Sequence, residues 1–442
     1  MNLRSRGFIV PNRNRSSKNM LGTFARRLLR TGSVSSGSLI LISMSVASSI
    51  LGFVYWFAVS QFYLVSKVGE AAALLSAFGL IGLLTKLGFD ITIVRYLPTE
   101  QDKTRLVNSC ITVTAVIAGF VSIVSIALLT LSSRDIGKDP QLLTLSSLFV
   151  LTSIAGAGSS IQSTTFIAAK DYGGYFKQGI SFMVLRIPFV AAFAWLGVQG
   201  ILLGLLLSIL VVQFFVTTAM LPKNIAGYTL RPALDLRRIR ELVSFSISNY
   251  VASTASAGPA FLLPILVVLT NGTDAGAYFY VAWMLANVVL MIPSAISTAL
   301  LAEISQKGQC WEKPFRETLT AMVAMVVPVA AALFIVAPVL LSLFGKQYGD
   351  NGADLLRILI IAAVASIPVT LFVSKARYDR TNRKIAVPYF GILITSVLLG
   401  IIMSEWYGAA GYALGWLTGN GLFAVLVTPE VVRIIRRCMR VA

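Results

Sequence analysis

Between about residues 38 and 432 the chain is a succession of apolar runs of roughly 20 residues, separated by short loops. A run of that length crosses the hydrocarbon of a bilayer as an α-helix, because each backbone N–H and C=O inside lipid must find its partner within the segment. Hydrophobic residues make up 56% of the 442 and charged residues 12%, which excludes an ordinary soluble domain. The pattern predicts an all-α polytopic membrane protein with about 12 transmembrane helices.

The apolar runs form two sets of six spans. The first set is 38–62, 71–94, 106–132, 141–169, 178–196 and 200–221. The second set is 241–269, 276–303, 317–343, 353–373, 385–403 and 409–432. They divide the chain into a basic N-terminal tail (1–36), an N-lobe (37–222), a linker (223–240), a C-lobe (241–432) and a basic C-terminal tail (433–442).

A net charge of +19 would indicate nucleic-acid binding in a soluble chain. In a membrane protein, basic residues that lie on one side of the bilayer instead indicate its topology. They are concentrated in the N-terminal tail, in the loops that follow even-numbered spans and at the C-terminus. By the positive-inside rule both termini are cytoplasmic and the span count is even. We therefore expect a multi-pass protein of the cytoplasmic membrane and no nucleic-acid partner.

Three segments recur at matching places in the two halves. The clearest is a glycine pattern that precedes or opens the last span of each half: Gly197, Gly200 and Gly204, then Gly408, Gly411 and Gly415. Six spans in each half place both halves in the same orientation, so the repeat is parallel about an axis along the membrane normal. A site between two such lobes is exposed to one side and then to the other when the lobes rock, which is transporter architecture.

The residue inventory excludes several kinds of chemistry. The chain contains no His, which removes His metal ligands, His general bases and His proton relays. It has no GxxxxGK[ST] phosphate loop and no long extramembrane loop for a catalytic domain. We therefore expect no enzyme activity, no metal and no cofactor.

Arg186 is the clearest of the polar residues inside the spans, which are costly in lipid and normally face the bundle interior or a wet cavity. It lies near the middle of the fifth span, and Pro188 two residues later predicts a local kink. Two interpretations stay open: a fixed cation in a central cavity, or one half of a buried ion pair between helices.

The other charged candidates lie nearer the span ends. Lys86 and Asp90 are four residues apart, so they share a helical face and either pair or serve substrate contact and ion coupling. Arg95 is a phosphate-contacting residue of the cytoplasmic rim or a plain positive-inside residue. Arg357, beside Asp354, is a cavity cation or an interfacial snorkeller.

Polar residues recur at spacings of three and four along the seventh span and, at one constant offset, along the first. They are Ser246, Asn249, Ser253 and Ser256, matched by Ser45, Ser48, Gly52 and Tyr55. The eighth span adds Tyr280, Trp283 and Asn287 on one face. The stripes are either helix-packing contacts or, because they match between halves, a shared cavity wall. The aromatic residues either stack on sugar rings or pack against other helices.

Three stretches resemble a known family: KVGEAAALLSAFGLIGLLTKLGFDITIVRYLP, GAYFYVAWMLANVVLMIPSAISTALLAEIS and GAAGYALG. The likeness is to the Wzx-type polysaccharide-repeat-unit flippases of the multidrug/oligosaccharidyl-lipid/polysaccharide (MOP) superfamily, and it covers nearly the whole chain. It implies a MATE-like fold of two six-helix lobes around a V-shaped cleft, lined by the first, second, seventh and eighth spans, with alternating access.

In such flippases, cavity cations hold the pyrophosphate of a polyprenyl-linked oligosaccharide while the lipid tail stays in the bilayer. An anionic head group also follows from several fixed cations and few acids, because guanidinium pairs bidentately with phosphate. The residues expected to bind substrate are Arg186, Lys86, Arg95, Arg357, Asn249, Ser48, Tyr55, Trp283 and Asn287, with Asp90 for ion coupling. The expected function is export of repeat units for a cell-surface polysaccharide such as the O-antigen of lipopolysaccharide.

The expected partners are the lipid-linked glycan, membrane lipids, a coupling proton or sodium ion, and a glycan polymerase or glycosyltransferases. The alternative function is a cation-coupled multidrug or organic-cation antiporter of the same superfamily. That alternative requires an acid deep in a span, and Asp90 is the candidate.

Overall fold

A computed structural model describes residues 36–132, 140–307, 312–379 and 381–441 of the chain, and the predicted N-terminal tail lies outside these ranges. The described residues form twelve helical stretches, α1 to α12 in chain order. The first six are Ser36–Phe62, Val65–Thr85 with Phe89–Tyr96, Lys103–Ser132, Pro140–Ala168, Tyr172–Ala192, and Val198–Phe215 with its continuation to Asn224. The second six are Leu236–Asn271, Thr273–Lys307, Glu312–Ser342, Lys346–Ala365 with Ile367–Tyr378, Asn382–Tyr407 and Ala409–Val441.

The predicted fold class is confirmed, because each predicted span falls on one of these helical stretches. Among the described residues, 11 helices are long and apolar enough to cross a membrane, and α5 is not among them. Lys177, Gln178 and Arg186 lower the hydropathy of α5. Several helices also begin earlier than hydropathy predicts, as α2 does at Val65, because a helix continues into the polar interface where apolar character ends.

Helix packing repeats between the two halves. Within the first half α1 packs on α5, α3 on α4, α4 on α6 and α5 on α6. Within the second half the equivalent pairs are α7 on α11, α9 on α10, α10 on α12 and α11 on α12. The halves meet chiefly where α2 lies against α7 and α8. The internal duplication read from the sequence is therefore a duplication of tertiary packing, in two six-helix groups.

The repeated glycines serve two purposes. Gly197 and Gly408 have φ of 60° and 54°, a left-handed conformation that favours glycine, and each turns the chain into the last helix of its half. Gly200 and Gly204 face Phe193 and Phe189 of α5. Their counterparts, Gly411 and Gly415, face residues 211 positions later, Ser404 and Gly400 of α11. Both halves therefore pack their last two helices in the same register.

A Gly415→Ala substitution is expected to destabilise the second half. Its Cβ would lie 2.5 Å from the Gly400 nitrogen and 2.8 Å from the Ser396 carbonyl oxygen, and backbone atoms do not yield as a side chain does. Overpacking of this kind costs about 1–3 kcal/mol. Thermal unfolding of the purified chain in detergent measures the loss as a lowered melting temperature.

Gly421→Ala is the matched control, because this glycine of the same helix has open space where a Cβ would be. There we expect no loss and a gain of up to about 1 kcal/mol from helix propensity. Equal melting temperatures for the two variants would contradict the close approach of α11 and α12.

Candidate functional site

We call the side that holds the linker and the end of α12 the basic side, and the other the opposite side. The Arg186 side chain projects from α5 onto α1, where its guanidinium carbon lies 4.0 Å from the centre of the Tyr55 ring and 5.6 Å from that of Phe182. The Arg186 Nε is buried without a hydrogen-bond partner. In the described part of the chain no carboxylate pairs with Arg186, so the ion-pair interpretation has no partner there.

Aromatic residues join this cation to the other half of the molecule. Tyr55 is buried and packs edge-on against Trp56, at 5.7 Å between ring centres. Trp56 in turn contacts Tyr280 of α8 at 4.5 Å, and Tyr280 is within electrostatic range of Arg186. We call Tyr55, Trp56, Arg186 and Tyr280 the central cluster. It places a fixed positive charge where the two six-helix groups meet.

The two groups are closed against each other on the opposite side of the central cluster. Phe344 at the end of α9 packs edge-on against Phe53 and Phe57 of α1, at 5.2 and 6.0 Å between ring centres. Gln61 donates a hydrogen bond to the Leu343 carbonyl across the same gap, at 3.3 Å. Aromatic packing therefore separates the central cluster from that side.

On the basic side, α1 and α8 expose polar residues instead. Ser49 donates a hydrogen bond to the Met291 sulfur at 3.0 Å, and beyond that contact Ser45, Ser294 and Thr298 are exposed. Ser49, Ser294 and Thr298 were not predicted. Met291, Ser294 and Thr298 follow each other at helical spacing, which places them on one face of α8. The first half of the sequence has no matching polar stripe, so the internal repeat does not indicate them.

The stripe predicted on α7 is divided by the structure. Asn249, Ser253 and Ser256 are exposed along one face, as a cavity wall requires. Ser246 is instead buried and donates to the Leu87 carbonyl of the α2 break at 3.1 Å, so it is a packing residue. On α1, Ser48 is half-buried whereas Tyr55 lies in the central cluster. Ser246 therefore has the predicted packing role, whereas a cavity wall stays a prediction for Asn249, Ser253 and Ser256.

The aromatic residues of α8 point in two directions. Trp283 is buried in the second half, where its ring lies 4.7 Å from that of Trp416 and 5.9 Å from that of Phe279. Asn287 is half-buried and donates to the Trp283 carbonyl at 2.9 Å. Tyr280 alone of the predicted trio reaches the central cluster. In this structure Trp283 is a packing aromatic, with no face free for a sugar ring.

The prediction that Lys86 and Asp90 share a helical face is wrong. The helix ends at Thr85 and restarts at Phe89, because Leu87 and Gly88 adopt φ of 47° and 79°. The break rotates the following turn, and no ion pair joins Lys86 and Asp90 within the described residues. Asp90 is exposed and accepts a hydrogen bond from the N–H of the next residue.

Two predicted arginines lie away from the central cluster. Arg95 is exposed on the basic side, with its guanidinium 4.3 Å from the centre of the Phe245 ring. Arg357 pairs with Asp354 at 3.0 Å and lies near Phe334 of α9. The contacts of Arg357 are thus with α9 and its own helix, as the snorkelling interpretation requires.

The linker is attached to the first half. Asn108 of α3 donates to the Thr229 carbonyl at 2.8 Å and accepts from the Tyr228 hydroxyl at 3.1 Å. The N–H of Ala233 donates to the Thr112 hydroxyl at 3.2 Å. Burial raises the pKa of Tyr228 to about 12. Residues 228–233 are therefore held against α3.

An ion-pair network follows the linker on the basic side. Arg238 pairs with Glu241 at 3.0 Å and with Glu100 at 2.5 Å, and these hydrogen-bonded carboxylates raise its pKa above the usual range. Arg105 and Asp235 approach within 3.6 Å. These residues line a cavity of about 340 Å³ between α3 and the start of α7. Its charged residues other than Asp102 form ion pairs, in contrast to Arg186.

Similarity to known proteins agrees with this arrangement. The sequence pattern of the family described as "Polysaccharide biosynthesis protein" matches residues 39–351. No curated protein matches the chain.

The fold is shared with solved transporter structures. An inward-facing multidrug resistance MATE family transporter of the MOP superfamily aligns with a TM-score of 0.70 at 14% identity, over 89% of this chain and 96% of that one. An outward-facing MATE family transporter gives 0.63 at 16% identity, over 92% and 96%. A MOP superfamily transporter from Pyrococcus furiosus, whose binding pocket of reverse polarity is said to suggest a different function, gives 0.59 at 14%, over 91% and 94%. At these identities the likeness shows a MATE-like fold.

Proposed function

The chain belongs to the polysaccharide biosynthesis protein family and has a MATE-like fold, and from that premise we propose that it is a lipid-linked oligosaccharide flippase. Its substrate is a polyprenyl-diphosphate-linked oligosaccharide or polysaccharide repeat unit, moved from the cytoplasmic to the outer leaflet for a cell-surface polysaccharide. The basic side is then cytoplasmic, with both termini on it. The observation that carries the proposal is the half-buried guanidinium of Arg186 between the two helix groups, whose Nε is fully buried and has no hydrogen-bond partner.

An unpaired buried charge is costly, so its retention calls for a ligand that neutralises it. A diphosphate suits Arg186, because guanidinium donates two parallel hydrogen bonds to phosphate oxygens. The guanidinium carbon lies 4.0 Å from the centre of the Tyr55 ring, and no hydrogen bond among the described residues occupies the guanidinium N–H groups. Water must leave when the lobes close around the head group, which strengthens the phosphate contact further.

Transport proceeds by alternating access of an N-lobe, residues 37–222, and a C-lobe, residues 241–432. The exposed polar residues of α1 and α8 on the basic side support entry of the head group there. The aromatic contacts of Phe344 with Phe53 and Phe57 form the barrier that must open on the other side. The polyprenyl tail stays in the hydrocarbon of the bilayer throughout, so its movement between leaflets exposes no apolar surface to water.

The antiporter alternative receives less support from the geometry. A drug cation needs an acid in the cleft, but Asp90 is exposed near the basic side, and no acid pairs with Arg186 among the described residues. Two of the similar structures are multidrug transporters, whereas the Pyrococcus furiosus protein shows that pocket polarity varies within the fold. Asp90 stays a candidate for coupling to a proton or sodium ion, and a glycan polymerase or glycosyltransferase is the candidate protein partner.

A translocation assay tests the proposal. The full chain is reconstituted in proteoliposomes with a polyprenyl-diphosphate-linked oligosaccharide, and a lectin added outside measures how much glycan reaches the outer leaflet. We expect glycan exchange well above that of protein-free vesicles and no flux of a cationic dye in parallel vesicles. Dye flux without glycan exchange would favour the antiporter instead.

A further inference from the structure

The central cluster has no equivalent in the second half, although the two halves pack alike. The helix pair α1 and α5 corresponds to α7 and α11. The glycine contacts fix the register of α11 at 211 positions after α5, which makes Val397 the counterpart of Arg186. On α7 the counterpart of Tyr55 is Ser256. Where one half presents a guanidinium on an aromatic ring, the other presents a hydroxyl and an aliphatic side chain.

The exposed residues of α7 fall on two faces of different chemistry. Ile247 and Val251 form an apolar face suited to lipid. Asn249, Ser253 and Ser256 form the other face, at successive steps of four and three residues. Uncompensated polar groups are costly in hydrocarbon, so the polar face borders the wet cleft and the apolar face borders the bilayer.

The hydrogen-bonding capacity of this polar face is largely unused. The Asn249 amide and the Ser256 hydroxyl have no hydrogen-bond partner in the part of the chain that the structure describes. Ser253 donates to the Tyr250 carbonyl at 2.9 Å, which leaves its oxygen free to accept. Ser294 and Thr298 of α8 likewise donate to backbone carbonyls and keep acceptor capacity. An amide that both donates and accepts, among neutral hydroxyls, matches the hydroxyl groups of sugars.

We propose that the two lobes bind different parts of one substrate: Arg186 of the N-lobe binds the diphosphate, and the polar face of α7 in the C-lobe binds the first sugars. This inference rests on the proposed function and adds a specificity-determining surface to it. The substrate is held in one orientation, because exchanging its two ends would set phosphate against neutral hydroxyls and leave the guanidinium unpaired.

Binding to the purified full chain in detergent tests this division. The probes are a soluble short-chain prenyl diphosphate and the same molecule carrying one hexose. The wild-type chain is expected to bind the hexose-bearing probe more tightly. The triple variant Asn249→Ala/Ser253→Ala/Ser256→Ala is expected to weaken that probe about tenfold, as loss of one or two hydrogen bonds predicts, and to weaken the bare diphosphate less than about twofold.

Two further variants separate the possible outcomes. Ile247→Ala/Val251→Ala changes the apolar face of the same helix and is expected to bind both probes as the wild type does. Arg186→Met is expected to weaken both probes by similar factors. If the triple variant weakens both probes equally, or neither, the division between lobes is overturned while the flippase proposal stands. If Arg186→Met also leaves both probes unchanged, the flippase proposal itself fails.

Discussion

Replacing Arg186 by Met is expected to reduce transport of the lipid-linked glycan at least about 100-fold while raising the melting temperature of the protein. The loss follows from the removal of two charge-assisted hydrogen bonds to phosphate, each worth about 1.5–3 kcal/mol. Met fills a similar volume, so it leaves little cavity beside Tyr55. Transport is measured by the proteoliposome assay, and stability by thermal unfolding in detergent.

The expected rise in melting temperature distinguishes a substrate-binding arginine from a structural one. Arg186 is half-buried, with its Nε fully buried and no carboxylate partner in the described chain, and an apolar side chain in place of such a charge is often neutral or stabilising. A merely structural arginine would show the reverse, because its removal would lower the melting temperature along with transport.

Arg357→Met is the matched control, since it also removes an arginine from within a span. Arg357 is paired with Asp354 and lies near α9, away from the central cluster. We expect transport within about twofold of the wild type, as for a surface ion pair. If the two arginine variants lost transport equally, net charge rather than the central cluster would be the cause.

Replacing Gly69 by Ala is expected to keep the two lobes apart on the opposite side of the membrane. A Cβ there would lie 1.7 Å from the Thr273 carbonyl oxygen and 2.6 Å from its carbon, both in the backbone of the other lobe. Neither atom is the end of a flexible side chain, so closure must be incomplete. An overpacking cost of about 1–3 kcal/mol in the closed form shifts its population about 5- to 150-fold.

The consequence for function is a block in the cycle rather than misfolding. Contacts within each lobe are untouched, so the melting temperature should change little, whereas glycan transport falls with the population of the closed form. In a chain that already carries Phe53→Cys, which places a thiol within the aromatic barrier, adding Gly69→Ala should speed the reaction of that thiol with a membrane-impermeant maleimide added to the opposite side.

Gly82→Ala provides the comparison on the same helix, because no atom lies within 4 Å of its would-be Cβ. It shares the helix-propensity gain of Gly69→Ala without the collision. Equal transport by the two variants would show that α2 and α8 do not approach at Gly69 when the lobes close.

The membrane fold could be read from the sequence because its signals are local. Apolar runs of about 20 residues, basic loops and glycines at fixed spacing each depend on neighbours along the chain. The glycine patterns, 211 residues apart, indicated the duplication, and the structure shows that the helix contacts at these glycines repeat at the same offset. Arg186 stood out for the same reason: a charge in the middle of an apolar run is visible without knowing what it faces.

The surroundings of other candidate residues could not be predicted from their spacing in the sequence. Lys86 and Asp90 have helical spacing, but Leu87 and Gly88 break the helix where Ser246 and Tyr250 of the other lobe pack against α2. Trp283 lies one turn from Tyr280, yet it faces Trp416 inside its own lobe.

Hydropathy and the internal repeat are enough to predict a duplicated bundle of membrane helices with one cation in the middle of the fifth span. Which polar side chains of α1, α7 and α8 are exposed and which are packed depends on tertiary contacts. The physical reason is that hydropathy fixes how a helix sits along the membrane normal, whereas its rotation about its own axis is set by packing against neighbours that are distant in sequence. A step of three residues, about 60° around the helix axis, separates Ser246 in a packed contact from the exposed Asn249.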